Sequence, residues 1–272
     1  MSHITPTFEK LRRAGQPALM PYLTIGHPSP ALTLELVPAV VEAGADLIEL
    51  GIPFSDPLAD GATIQQATHR ALEQGTTVET CLQVVAELRR RGIETPLILM
   101  GYYNPIFQRG LNTFCANAAQ AGADGLIIPD LPPEEAHELR QACRAHDLDL
   151  IFLLAPTSDD TRVRHVIELS TGFIYLVSLT GVTGARDHLP ADLEAFVQRV
   201  RRLTDLPLAV GFGIGSPDEA RRVGRVADGV IVGSAIVRRA GESAEPVSTV
   251  RDFVQSLRAG LNSSWERGNS SS

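Results

Sequence analysis

Residues 47–61 read LIELGIPFSDPLADG and hold two carboxylates, Glu49 and Asp60, in very different settings. Glu49 interrupts an apolar run that otherwise reads as a buried strand. Side chains alternate along a strand, so Leu47 and Glu49 share one face and Ile48 and Leu50 the other. A carboxyl among apolar neighbours resists ionisation, and its pKa rises to where it can exchange a proton near neutral pH. A carboxylate paired with a buried arginine is the structural alternative. Asp60 closes a loop stiffened by Pro53 and Pro57 and turned by Gly51 and Gly61. Capping the next helix is the structural alternative for Asp60, as for Asp56. Two carboxyls at different depths of one pocket suit two roles, one cycling a proton and one remaining ionised.

A second group is glycine-rich. SLTGVTGAR (178–186), GFGIGSP (211–217) and VGSAI (232–236) each follow an apolar run. Glycine loops and helix starts present backbone N–H groups that bind phosphate without lysine. Plain turn chemistry explains one such loop, whereas three in succession point to a phosphorylated ligand. Lysine is nearly absent: of 24 lysines and arginines only Lys10 is a lysine, and it precedes the first strand. A Schiff-base aldolase needs a pocket lysine, and none is available; if the chain acts on a phosphosugar-like substrate, the carboxylates must do the proton work. The seven histidines show no metal-like spacing, and His27 and His188 fall singly in loops.

These residues need a scaffold. Eight apolar runs fit strands, at 18–25, 45–51, 96–102, 124–130, 148–156, 172–178, 206–214 and 228–235. They lack polar alternation, as parallel strands covered by helices do. Helical patterns fall between them at 31–44, within 62–92 (two), and at 110–122, 133–146, 158–170, 191–205, 216–226 and 248–260. A further helix at 8–15 precedes the first strand, and VGSAI opens a short one. EAGADLIELG, QAGADGLIIPD and RVADGVIVGS repeat a helix end, an Ala-Asp pair and a strand. The pattern predicts an α/β fold: a (β/α)8 TIM barrel with an extra N-terminal helix, in one domain over residues 1–261. A doubly wound open sheet is the competitor. Barrel active sites lie at the C-terminal strand ends, where Glu49 and the glycine loops fall. The polar stretch 262–272, with the single tryptophan Trp265, is expected to be a disordered tail.

The net charge of −8 argues against nucleic-acid and anionic-membrane surfaces, and no apolar run is long enough for a membrane span. Cys81, Cys115 and Cys143 form no CxxC pair and read as buried thiols in a reducing, cytoplasmic compartment.

LIELGIPFSDPLADG, MGYYNPIF (100–107), SLTGVTGAR, GFGI and VGSAIV together resemble the tryptophan synthase alpha chain family, in order over roughly residues 5–260. Departures are small: Ala62 stands where the family usually has proline, and Pro129 where small residues also occur. The resemblance implies retro-aldol cleavage of indole-3-glycerol phosphate to indole and glyceraldehyde 3-phosphate. Glu49 then matches the acid/base, and Asp60 the carboxylate that stabilises the ring N–H. Tyr22, Leu99, Tyr102, Ile127 and Tyr175 match the indole pocket, with core filling as the alternative for each. Gly184, Gly213, Ile214, Gly233 and Ser234 match the phosphate site. The resemblance implies no metal and no cofactor on this chain. It implies a pyridoxal-phosphate-dependent beta chain as partner in an alpha-beta-beta-alpha complex. The loops at 52–57 and 101–107, with Tyr103, Ile106 and Phe107, are the expected docking surface. A free-standing lyase is the near alternative. An idle barrel that only activates a partner, or a relative such as indole-glycerol phosphate synthase, fits less well. The first has no use for Glu49 and Asp60, and the second relies on pocket lysines.

Overall fold

Nine short parallel strands form one sheet among the described residues, which in this computed structural model are 2–178, 191–211 and 213–262. They are β1 (Ala18–Thr24), β2 (Ile48–Gly51), β3 (Leu97–Met100), β4 (Gly125–Ile127), β5 (Asp149–Ile151), β6 (Leu153–Leu154), β7 (Ile174–Val177), β8 (Leu208–Gly211) and β9 (Gly229–Val232). The order is β5-β4-β3-β2-β1-β9-β8-β7-β6. Only Phe152 separates β5 from β6, so the two ends of that order are joined by the chain itself. The predicted fifth strand is thus one strand whose first half pairs with β4 and second half with β7. Its pleat is continuous: Ile151 and Leu153 face the barrel interior, and Phe152 faces the helices. Such a stagger is what closing a parallel sheet requires.

The helices are α1 (Ile4–Ala14), α2 (Pro30–Glu42), α3 (Ala62–Glu73), α4 (Val78–Arg90), α5 (Tyr103–Gln108), α6 (Leu111–Ala121), α7 (His137–Ala145), α8 (Asp160–Leu169), α9 (Ala191–Arg201), α10 (Pro217–Gly224), α11 (Ser234–Glu242) and α12 (Pro246–Asn262). Side-chain caps set several starts: Ser29, Thr77, Asp159 and Ser216 each accept the backbone N–H three residues on. Two features depart from expectation. Helix α1 begins at Ile4, before the predicted 8, because Ile4 and Phe8 both enter the interior cluster. Helix α5 forms within the predicted loop after β3. Gly184, His188 and Trp265 lie outside the described residues.

Two apolar clusters result. The larger lies between strands and helices. The smaller fills the barrel and includes Met20, Leu47, Ile98, Ile127, Ile151 and Ile231. Helix α1 closes the barrel at the N-terminal ends of the strands, where Phe8 meets Phe173 with ring centres 5.6 Å apart.

The repeated Ala-Asp pairs explain themselves at that end. Asp46, Asp124 and Asp228 each precede a strand. Their backbone N–H groups donate to the carbonyls of Leu19, Leu97 and Leu208 in the neighbouring strand. Their carboxylates accept the N–H of those same three leucines. An arginine then pairs with each acid: Arg258, Arg89 and Arg201. The sequence repeat is therefore a strand clamp used three times.

Asp124 is the most buried of the three and also accepts from His3 N–H at 2.9 Å. Asp124→Ala should cost about 3 kcal/mol, because it removes the counter-ion of the Arg89 guanidinium and leaves two backbone donors without their acceptor. Denaturant unfolding measures this, with substrate affinity expected to persist. A loss under about 1 kcal/mol would show that the clamp contributes little.

Candidate active site

Glu49 sits on β2 opposite Tyr22 of β1 and Ile98 of β3 in register. Strand parity turns it inward, and it is 1% exposed. Neither carboxyl oxygen has a hydrogen-bond partner among the described residues. No arginine among the described residues pairs with it, which counts against the structural alternative. Desolvation alone pushes its pKa from 4.5 up to about 8, so near neutrality it is predominantly a neutral acid.

Asp60 lies half-buried at the end of the β2–α3 loop. Burial raises its pKa from 3.8 to about 6, opposed by a hydrogen bond from Tyr102. The Tyr102 hydroxyl donates to Asp60 Oδ2 at 3.1 Å and accepts from Ala59 N–H at 3.0 Å. Gln65 Nε2 donates to the Asp60 carbonyl at 2.8 Å. Asp60 does not cap α3, whose N-cap is Gly61. The two carboxyls therefore titrate apart, the deeper one higher.

A cavity of about 240 Å³ joins them. Tyr22, Tyr175, Ile64, Met100 and Ile231 supply much of its apolar wall, and Gly213, Ile214, Gly233 and Ser234 line it as well. Both tyrosine hydroxyls depend on absent side chains. A Cβ on Gly51 would lie 2.0 Å from the Tyr22 hydroxyl, and one on Gly211 would lie 2.2 Å from that of Tyr175. Burial holds both phenols above their ordinary pKa, so they stay neutral.

Two loops offer backbone donors. Gly213 has φ +78°, which favours glycine. Gly215 N–H is already committed to the Glu219 carboxylate at 2.7 Å. In α11 the first intrahelical donors are Ile236 and Val237, both to the Gly233 carbonyl. The N–H groups of Ser234 and Ala235 precede that ladder and have no backbone partner among the described residues, so they can serve an anion.

Not every expected residue reaches the cavity. Leu99 is fully buried in the cluster between barrel and helices. Its register partners are Leu50 and Leu126, also outward, so the pleat gives the inward place to Met100. Ile127 is inside the barrel but does not line the cavity. Tyr102 acts through Asp60 rather than as a wall. Met100 and Ile231 were recoverable from the alternation that gave Glu49, counted back from Gly233 and across from β2. Ile64 and Arg238 sit on helices whose rotation only packing fixes. Gly184 falls outside the described residues.

At the mouth, Leu58 is 91% exposed and Phe107 51% exposed. Ile106, expected at the docking surface, is buried in the core instead, because α5 turns it inward. Tyr103 and Phe107 stack with ring centres 5.5 Å apart.

The model of the tryptophan synthase alpha chain family matches residues 8–263. A curated tryptophan synthase alpha chain from Roseiflexus sp. (strain RS-1) is 57% identical over 260 residues, covering 95% of this chain and 100% of that protein. One from Chloroflexus aggregans is 56% identical over 259 residues, covering 94% and 97%. Among solved structures, tryptophan synthase subunit alpha from Legionella pneumophila superposes with a TM-score of 0.90 at 39% identity, covering 97% of this chain and 99% of that one. A chain of Mycobacterium tuberculosis tryptophan synthase gives 0.88 at 39% identity, covering 96% and 98%.

The buried acid makes stability depend on pH. An unfolded glutamate releases its proton near 4.5, whereas Glu49 in the fold holds its proton to about 8. Between those values the native state binds more protons than the unfolded state, so Glu49 costs stability as pH rises. Glu49→Gln should therefore melt higher than the parent at pH 8, with the difference shrinking toward pH 5. Parallel melting curves across that range would show that Glu49 ionises normally.

Proposed function

The chain belongs to the tryptophan synthase alpha chain family, and on that premise we propose that Glu49 and Asp60 carry its lyase reaction. The reaction cleaves indole-3-glycerol phosphate to indole and glyceraldehyde 3-phosphate. The observation that carries the residue assignment is the unpartnered, inward carboxyl of Glu49 in the same cavity as Asp60.

Cleavage needs an electron sink at the indole ring. A neutral Glu49 can donate its proton to ring carbon C3, which makes the ring an iminium that accepts the bonding electrons. The resulting carboxylate takes the proton of the side-chain hydroxyl as the C3–carbon bond breaks. Indole and the aldehyde form, and Glu49 is again protonated. Positive charge develops at the ring nitrogen meanwhile, and ionised Asp60 stabilises it through the N–H. Tyr22, Met100, Tyr175 and Ile231 fit the flat apolar ring. Gly213, Ile214, Gly233 and Ser234 fit the phosphate through backbone N–H groups, with Gly184 as a further candidate. Residues 1–261 are read as one barrel domain.

The alpha chain needs no cofactor of its own. Pyridoxal phosphate belongs to the beta chain, with which alpha chains form alpha-beta-beta-alpha complexes. Among the described residues no helix is long and apolar enough to cross a membrane. A cytoplasmic location fits such a biosynthetic subunit. For the docking surface, exposed Leu58 and Phe107 support the mouth face, next to the Asp60 loop. Membership of the tryptophan synthase alpha chain family favours a subunit that passes indole to the beta chain over a free-standing lyase.

With Asp60 ionised and Glu49 protonated, kcat/KM should rise through about pH 6 and fall through about pH 8. Glu49→Gln should fold and lose at least ~10²-fold in turnover, the lower range of general acid–base catalysis. Tyr102→Phe removes a donor to the Asp60 carboxylate, so the acidic limb should move to higher pH. An unmoved limb would dissociate it from Asp60.

Phe107→Ser should weaken binding of a cognate beta chain by roughly tenfold or more if Phe107 anchors the interface. Titration of the beta chain measures this, and cleavage by the alpha chain alone is expected to persist. Unchanged affinity would move the interface elsewhere.

A further inference from the structure

Arg238 is the only cationic side chain among the described residues that line the reaction cavity. It stands on α11 four residues after Ser234, so both lie on one helix face. Helical side chains lean toward the N-terminus. Arg238 therefore stands one turn from the Ser234 and Ala235 N–H groups, within reach of an anion held there. It is exposed, and it makes no ion pair or side-chain hydrogen bond with the described residues. Its neighbour Arg239 is committed: that guanidinium donates to the Ala235 carbonyl at 2.8 Å and lies 3.6 Å from the centre of the Phe253 ring.

Arg238 also borders a second, polar cavity between α3 and α11, lined by His27, Gln66, Arg70 and Glu242 among others. It thus stands in the shared wall of the two. On the polar side Arg70 repels it and Glu242, one turn further along α11, attracts it. On the reaction side the fixed groups are Glu49, neutral at neutral pH, and Asp60. A phosphate dianion at the start of α11 would outweigh these single charges and draw the guanidinium across.

We propose that Arg238 is the specificity residue for the phosphate group: it pairs with the dianion at the start of α11 and selects phosphorylated over unphosphorylated substrates. The inference rests on the reading of the cavity as a phosphate-ester site. Backbone N–H groups supply the shape of that site, but they carry only partial charge. A guanidinium adds a full charge and paired donors.

The test compares indole-3-propanol phosphate with indole-3-propanol by calorimetric titration at low and high salt. Arg238→Gln should weaken the phosphorylated compound about five- to tenfold, an amount limited by solvent exposure. The unphosphorylated compound should be nearly unaffected. High salt should narrow the gap between parent and variant. Arg238→Lys should recover part of the affinity, and in kinetics the Gln variant should lose through KM more than kcat. Arg70→Gln serves as the control, because Arg70 borders only the polar cavity and should leave the preference intact.

Equal losses in the Arg70 and Arg238 variants would indicate a diffuse field and overturn the pairing. So would an Arg238→Gln protein with parental preference, or one that loses both compounds alike. A parent protein with no preference for the phosphorylated compound would overturn the phosphate-site reading together with the inference.

Discussion

The burial of one carboxyl without a hydrogen-bond partner is the constraint on which this site turns. Glu49 is tolerated because it can stay protonated, and it stays protonated because burial desolvates it and no described residue ion-pairs or hydrogen-bonds with it. That burial is a property of the whole barrel. The strands close through the stagger at Phe152, α1 seals the far end with Ile4 and Phe8, and inward aliphatic side chains fill the space below the mouth. An arginine placed among them would pull the pKa of Glu49 down and remove its value as an acid. The arginines that hold the barrel together are instead at the opposite end, each tied to an Ala-Asp clamp. The fold thus separates these three ion pairs from its acid by the length of the strands.

Asp60 obeys a different logic. It is on a loop, it is half-buried, and it is held by contacts from outside its own segment. Tyr102 bonds both Asp60 and Ala59, and its ring meets Phe54 with centres 5.3 Å apart. Tyr102 is also the residue from which α5 starts, and α5 presents Phe107 at the mouth. A displacement of α5 therefore acts on the position and ionisation of Asp60 through one side chain. A partner that bound α5 in a single arrangement would favour one Asp60 geometry, a shift of population rather than a new contact to substrate. By linkage, a ligand that favours the same geometry would tighten the partner.

The sequence was most legible where one local rule sufficed. Parity placed Glu49 inward, glycine loops marked the late strand ends, and the apolar runs marked the strands. It was less legible where two elements had to be compared. Leu99 and Met100 are adjacent apolar residues, and only register against β2 shows which one faces inward. The Ala-Asp repeat was visible, but its meaning lies in hydrogen bonds to a neighbouring strand tens of residues away. Ile106 and Phe107 look alike as exposed anchors until α5 forms and rotates one into the core. Ile64 and Arg238 carry no motif, because their relevance follows from how α3 and α11 pack beside the barrel mouth.

The charges in the cavity suit a substrate that brings two negative charges of its own. Were Glu49 and Asp60 both ionised, they would oppose a phosphate dianion in a low-dielectric site. Keeping Glu49 neutral removes one of the two repulsive charges and, on the proposed mechanism, stores the proton the ring would receive. The remaining charge, on Asp60, is held on the α3 side by Tyr102 and Gln65, while the N–H groups of Ser234 and Ala235 begin α11. On that reading, the same desolvation that keeps Glu49 protonated also leaves the pocket with less negative charge to oppose a phosphate. On the proposed mechanism, a substitution that ionised Glu49 would impair binding and proton transfer together, because both would depend on the one proton.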